Sequence, residues 1–136
     1  MTNALTSKGL GLLVLAAAMA LAGAHARAQD LKDTAFAYGE DFPAVNATCE
    51  NVRDWAGKAP ETHVRFNMAV RGKLSRVVES SALVQLTMCQ APELKVTCIT
   101  YKTNGMAAGD VVTFVGGFRQ PNAEHVVLDP CLASRD

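Results

Sequence analysis

Residues 63–77 read HVRFNMAVRGKLSRV, and this stretch decides the fold. Val64, Phe66, Met68 and Val70 alternate with Arg65, Asn67, Ala69 and Arg71. A period of two is that of a strand with one face buried. Gly72 then interrupts the run, and Leu74 and Val77 continue it after a change of parity. A glycine inside a strand often marks a bulge, so a long strand bent at Gly72 is expected.

Four further strands follow downstream. Residues 83–88 form the second strand after a loop at Ser80 and Ser81, and Ala91-Pro92-Glu93 turns the chain into a third at 94–101. Asn104-Gly105 and Gly109-Asp110 mark the next connection. A fourth strand at 111–118 is weakened by Gly116-Gly117, and a fifth runs from His125 to Leu128 after Gln120-Pro121-Asn122. Upstream, Val45, Cys49, Val52, Trp55 and Ala56 recur at helical spacing within residues 43–57, with Gly57 and Pro60 as the stop. Trp55 on that stripe reads as a core plug where the helix docks. Residues 29–44 are mixed and polar and read as a flexible lead-in, leaving one domain over 45–136. One helix and five strands, the first long and bent, suggest a small closed barrel, because closure removes exposed edges. An SH3-like barrel is the main rival.

The first 28 residues concern location. Lys8 precedes an apolar stretch at 10–24, and Ala26-Arg27-Ala28 follows it. That is the layout of a signal peptide cut after Ala28, which places the protein in the periplasm or outside the cell. The apolar run is short for a bilayer span, so no membrane span is expected after processing. Lys8 and Arg27 leave with this segment while all 13 acidic residues stay, which takes the net charge from 0 to −2. Phosphate neutralisation normally demands a positive excess, so the balance disfavours a nucleic-acid partner. All 4 cysteines, Cys49, Cys89, Cys98 and Cys131, lie beyond the cut and read as two disulfides. Neither C-x-x-C pairs nor clustered histidines appear, so no metal site is expected.

The motifs Val70-Arg71-Gly72-Lys73-Leu74, Val96-Thr97-Cys98-Ile99-Thr100-Tyr101, residues 108–118 and Val126-Val127-Leu128-Asp129-Pro130-Cys131 occur in succession. This succession resembles the tRNA-anti-like group of exported OB-fold proteins and is also similar to the bacterial periplasmic OB-fold (BOF) family. Two departures stand out: Pro130 is an extra residue before the last cysteine, and Cys49 and Cys89 lack counterparts in the pattern. The resemblance implies an all-β fold with an N-terminal helix, a five-stranded, disulfide-bonded OB-fold Greek-key barrel, and an export route. It carries no activity. In such a barrel the third and fifth strands lie side by side, favouring Cys98–Cys131, and Cys49 before the first strand meets Cys89 at the end of the second. The rival pairing, Cys89–Cys98 with Cys49–Cys131, would turn Val96 outward and Ile99 and Tyr101 inward.

No nucleophile–base constellation is visible: the serines sit outside any G-x-S-x-G context, and His63 and His125 stand alone at turns. OB-folds bind across the second and third strands and the adjoining loops. The candidate ligand-binding face there comprises Arg71, Lys73, Arg76, Gln85, Thr87, Tyr101, Lys102 and Arg119. Tyr101 is its one stacking platform, since Phe66 and Phe114 have core-facing parity. The expected function is a non-enzymatic binding module of the bacterial envelope without cofactor or metal, acting on an envelope protein, a glycan or a small ligand. The alternative is a single-stranded nucleic-acid or oligonucleotide-binding OB-fold protein using the Arg71, Lys73 and Arg76 edge. Mass spectrometry of the protein from its native host is expected to find Gln29 as the first residue, and a mature chain starting at Met1 would refute processing.

Overall fold

The structure is a computed structural model in which residues 29–136 are described; the proposed signal peptide and its cleavage site lie outside them. Among the described residues seven strands and one helix follow in order: β1 (Phe36–Tyr38), β2 (Ala47–Thr48), α1 (Val52–Ala56), β3 (Phe66–Glu79), β4 (Val84–Met88), β5 (Lys95–Thr100), β6 (Val111–Asn122) and β7 (His125–Arg135). The first half of β3 pairs antiparallel with β6, from Asn67 opposite Gly117 to Lys73 opposite Val111. Its second half pairs with β4, from Leu74 opposite Met88 to Glu79 opposite Val84. β4 pairs antiparallel with β5, β5 runs parallel to β7, and β7 returns antiparallel beside β6. The circuit β3-β4-β5-β7-β6 closes back on β3, so the barrel has no free edge around its circumference. This is the strand order of an OB-fold.

Alternation places the core as expected. Met68, Val70 and Leu74 of β3, Val84, Leu86 and Met88 of β4, Val96 and Cys98 of β5, Val112 and Phe114 of β6, and Val126 and Leu128 of β7 are all buried. The bend differs from the expectation. Gly72 keeps the same inward parity as Val70 and Leu74, and the register shift falls between Leu74 and Arg76. The unpaired Ser75 is the extra residue, and its hydroxyl donates to the Thr87 carbonyl at 3.0 Å. Gly72 has another reason: a Cβ there would lie 3.0 Å from Cys49 Sγ and 3.1 Å from Met88 Sδ.

The N-terminal part also departs from the sequence reading. Residues 29–44 are not a flexible lead-in. β1 pairs antiparallel with β3, and Leu31, Ala35 and Phe36 are buried. The helix expected across 43–57 is confined to Val52–Ala56, because Ala47 and Thr48 form β2, parallel to β3 opposite Val70 and Arg71. The physical cause is shared. The first half of β3 has β6 on one edge, and the polar backbone on its other edge needs partners that β1 and β2 supply. Strands of three and two residues are too short to show a period. Val64, expected within the first strand, precedes β3 and is exposed. At the other end, β6 continues through the expected turn at 120–122, and β7 runs well past Leu128.

Phe36 gathers three other aromatic rings. It makes edge-to-face contacts with Trp55, Phe66 and Phe118 at centroid distances of 6.3, 5.6 and 5.8 Å. Trp55 thus packs against the core from α1, as its stripe implied. The disulfides are Cys49–Cys89 and Cys98–Cys131, with Cα separations of 5.1 and 5.4 Å. The rival pairing would require Val96 outside and Tyr101 inside, whereas Val96 is fully buried and Tyr101 is 73% exposed. Replacing Phe36 by Ala removes the ring on which three others converge. The expected loss is about 3–5 kcal/mol, the usual cost of truncating a buried aromatic residue. Chemical denaturation of the oxidised protein measures it, and an unchanged midpoint would mean that residues 29–44 are dispensable to the fold.

Candidate functional site

The outward parity of three adjacent strands builds a groove. Gln85 and Thr87 of β4 point away from the barrel, as do Lys95, Thr97 and Ile99 of β5, and His125 and Val127 of β7. The bulge adds Ser75 and Arg76 of β3 to the same side, and the β4–β5 connection supplies Gln90 and Glu93 at one end. Together they line an open groove of about 770 Å³ over β3, β4, β5 and β7. Its floor is rich in hydroxyl and amide groups, its charges are of both signs, and none of its lining residues is Phe, Tyr or Trp.

Electrostatics at its rim are local. Arg53 of α1 reaches Glu124 of the β6–β7 turn at 2.7 Å and also donates to the Pro92 carbonyl at 3.2 Å. Hydrogen bonding from Arg53 holds the Glu124 carboxyl below its ordinary range. His125 shares a hydrogen bond of 2.9 Å between its Nε2 and Thr97 Oγ1. Burial, and then the neighbouring Lys95 charge, push its imidazole below the ordinary histidine value. Among the described residues Cys49, Cys89 and Glu93 bring metal-ligand atoms within 4.8 Å of one another, but both sulfurs are consumed in a disulfide. A disulfide offers no thiolate, so this grouping is not a metal centre.

Of the eight residues expected on one binding face, Arg76, Gln85 and Thr87 line the groove. The other five lie elsewhere. Arg71 and Lys73 precede the bulge, on the part of β3 that pairs with β6, and not near the β3–β4 loop. They border a smaller depression beside Cys49 and Glu50 that adjoins the groove through Ser75, Cys89, Gln90 and Glu93, and Arg71 is paired there with the Asp136 carboxylate. Arg119 is paired with Asp129 at 2.9 Å, near His63 and Phe66. Tyr101 stands in a separate apolar cleft with Phe42 and Leu132, and Lys102 follows it in the exposed β5–β6 connection. The sequence reading missed Lys95, Thr97, Ile99, His125 and Val127. Their signal was present: each alternates with an inward Val96, Cys98, Val126 or Leu128. Joining them into one surface required the parallel β5–β7 pairing.

No family model matches the chain, and no curated protein matches it. Among solved structures it is similar to a chain of the crystal structure of the S. pombe Stn1-ten1 complex, at 14% identity and a TM-score of 0.38. The match covers 54% of this chain and 60% of that one, so less than two thirds of that chain's length is spanned. At this level the likeness transfers no ligand or partner, and the barrel's own strand order carries the fold assignment.

A depressed His125 remains neutral in the folded protein at pH values where the unfolded chain has already protonated it. Its contribution to stability is full above about pH 6.5, the unperturbed value, and is lost as pH falls toward the folded pKa. NMR titration is expected to give a His125 midpoint below about 6.5, the ordinary histidine value, and Lys95→Gln to raise it only in part, because burial is the larger cause. A midpoint at or above that value would contradict the half-buried geometry of His125.

Proposed function

We propose that this chain is a non-enzymatic, exported OB-fold binding module of the bacterial envelope that holds an extended segment of a partner protein in its groove. The observation that carries this reading is the lining of the groove. Ser75, Gln85, Thr87 and Thr97 offer hydrogen bonds along its length, with Arg76 and Lys95 set against Glu93 and Glu124. A polypeptide presents alternating backbone donors and acceptors together with side chains of either charge, which suits such a surface. The groove covers the sheet face on which OB-folds take extended ligands.

Single-strand binders use a positive channel and aromatic platforms, each stacked base being worth about 1–3 kcal/mol. Here the groove has no such platform, Tyr101 lies outside it, and Arg71 is already paired. These features speak against the nucleic-acid alternative. A non-enzymatic role is supported by the isolation of the His125–Thr97 pair: among the described residues no carboxylate is hydrogen-bonded to His125 to orient it as a base. Export is supported by the leader pattern of residues 1–28, by the resemblance to exported OB-fold families, and by two disulfides, which persist in oxidising compartments. Among the described residues no helix is long and apolar enough to cross a membrane.

The test is in-envelope cross-linking of a tagged wild-type chain beside the double variant Gln85→Arg, Thr87→Arg, which fills the groove floor without touching the core. A discrete protein adduct that falls about tenfold in the variant, a change of about 1.4 kcal/mol, is the expected result. Fluorescence titration with a thymidine oligonucleotide at about 0.15 M salt decides the other way. Sub-micromolar affinity there, weakened by Arg71→Gln and Lys73→Gln, would replace this function by the nucleic-acid alternative.

A further inference from the structure

On a different side of the barrel from the groove, Phe42, Tyr101 and Leu132 surround a cleft of about 270 Å³ that also takes in Glu40, Arg65 and Asn67. The three apolar side chains are 67%, 73% and 64% exposed, an arrangement that costs solvation and gains nothing for the fold. Beneath them Asn67 is only 6% exposed. Its Nδ2 donates to the Gly39 and Asp41 carbonyls at 3.0 and 3.2 Å, which fixes the orientation of the amide. Its Oδ1 is then left buried with no hydrogen-bond partner. A buried acceptor left unpaired is unfavourable, and a donor brought by a ligand removes that cost. Arg65 lies two residues away with the same parity, about 6–7 Å along the chain. Its guanidinium is only loosely engaged, 3.5 Å from a Glu40 carboxylate that is itself 87% exposed.

We infer that this cleft is a binding site for a small, single-ring aromatic acid carrying a hydroxyl or N–H donor. The ring lies against Tyr101 and Leu132, the donor meets Asn67 Oδ1, and the acid group meets Arg65. The volume holds one ring and little more, and a mostly apolar wall with a few fixed polar groups is typical of small-molecule sites. Oδ1 is closed to water in the free protein, so entry of the donor requires side chains around it to give way. Aromatic stacking on Tyr101 adds the orientation preference that an aliphatic wall lacks. The cleft shares no lining residue with the groove, so this site stands or falls separately from the function proposed above.

The probes are 4-hydroxybenzoate, which carries ring, donor and acid, and benzoate, which lacks the donor. NMR titration of the disulfide-bonded protein is expected to show 4-hydroxybenzoate shifting amides of residues 39–42, 65–67, 100–101 and 132. Benzoate should bind the same place about tenfold more weakly, the size of effect one hydrogen bond to a buried acceptor gives. Arg65→Gln and Tyr101→Ala should each weaken 4-hydroxybenzoate severalfold. Asn67→Leu, if it folds, should abolish the preference between the two probes; Arg65→Gln is read in any case, because Arg65 is exposed and peripheral to the core. The inference is overturned if 4-hydroxybenzoate produces no shifts at the cleft by about 10 mM, a concentration that detects even very weak binding. Equal affinity of the two probes for the wild-type protein overturns it as well.

Discussion

The architecture depends on one strand serving two sheets. β3 gives its first half to β6 and its second half to β4, so the circuit of strands closes where it changes partner. Backbones must approach closely at such a place, and the chain meets this with atoms left out. At Gly72 the missing side chain leaves room for the Cys49 sulfur and the Met88 thioether. Around the circuit, a Cβ at Gly116 would lie 2.5 Å from the Pro130 carbonyl oxygen, and one at Gly117 would lie 2.7 Å from that of Asp129. These are backbone atoms, which cannot rotate away as a side chain can. The glycines that weaken β6 by propensity are thus what allows β7 to lie against it, and tertiary packing overrides the local preference.

The same constraint explains what was readable in the sequence. The alternation in residues 63–77 and the turn residues between later strands reveal five strands and, with their order, the barrel. The disulfides followed from strand neighbourhood, because Cys98 is level with Leu128 across the parallel β5–β7 pair and Cys131 sits just beyond it. What stayed hidden was the part that lacks a period. Phe36 and Ala47 look like any apolar residue in a polar segment, yet both are buried because β3 has an unpaired edge that only a structure displays. The site divided for a related reason. Arg71, Lys73 and Arg76 are close in sequence, but the bulge at Ser75 and the change of partner strand put Arg76 in the groove and leave Arg71 and Lys73 in the smaller depression beside it.

Charge pairing on the barrel surface is local. Arg53, Arg71, Arg119 and Arg135 each meet an acidic partner: Glu124, Asp136, Asp129 and Asp110. Exposed pairs of this kind add little to stability. Their main effect is on the field, since each cancels a charge that would otherwise extend over the barrel. The groove offers hydrogen-bonding side chains and the cleft apolar ones, so each surface presents short-range contacts.

Each of these two sites is anchored by a disulfide. Cys89 lines the groove at the end of β4, and its bond to Cys49 ties that end to the segment leading into α1. Cys131 lines the cleft, and its bond to Cys98 ties β7 to β5 where their direct pairing ends. The bridges span sequence separations of 40 and 33 residues, so each removes substantial freedom from the unfolded chain. In so small a domain the core alone supplies a narrow margin. On the functions proposed above, redox state is thereby coupled to site geometry: the bridges that tie the barrel together also hold the walls of the groove and of the cleft.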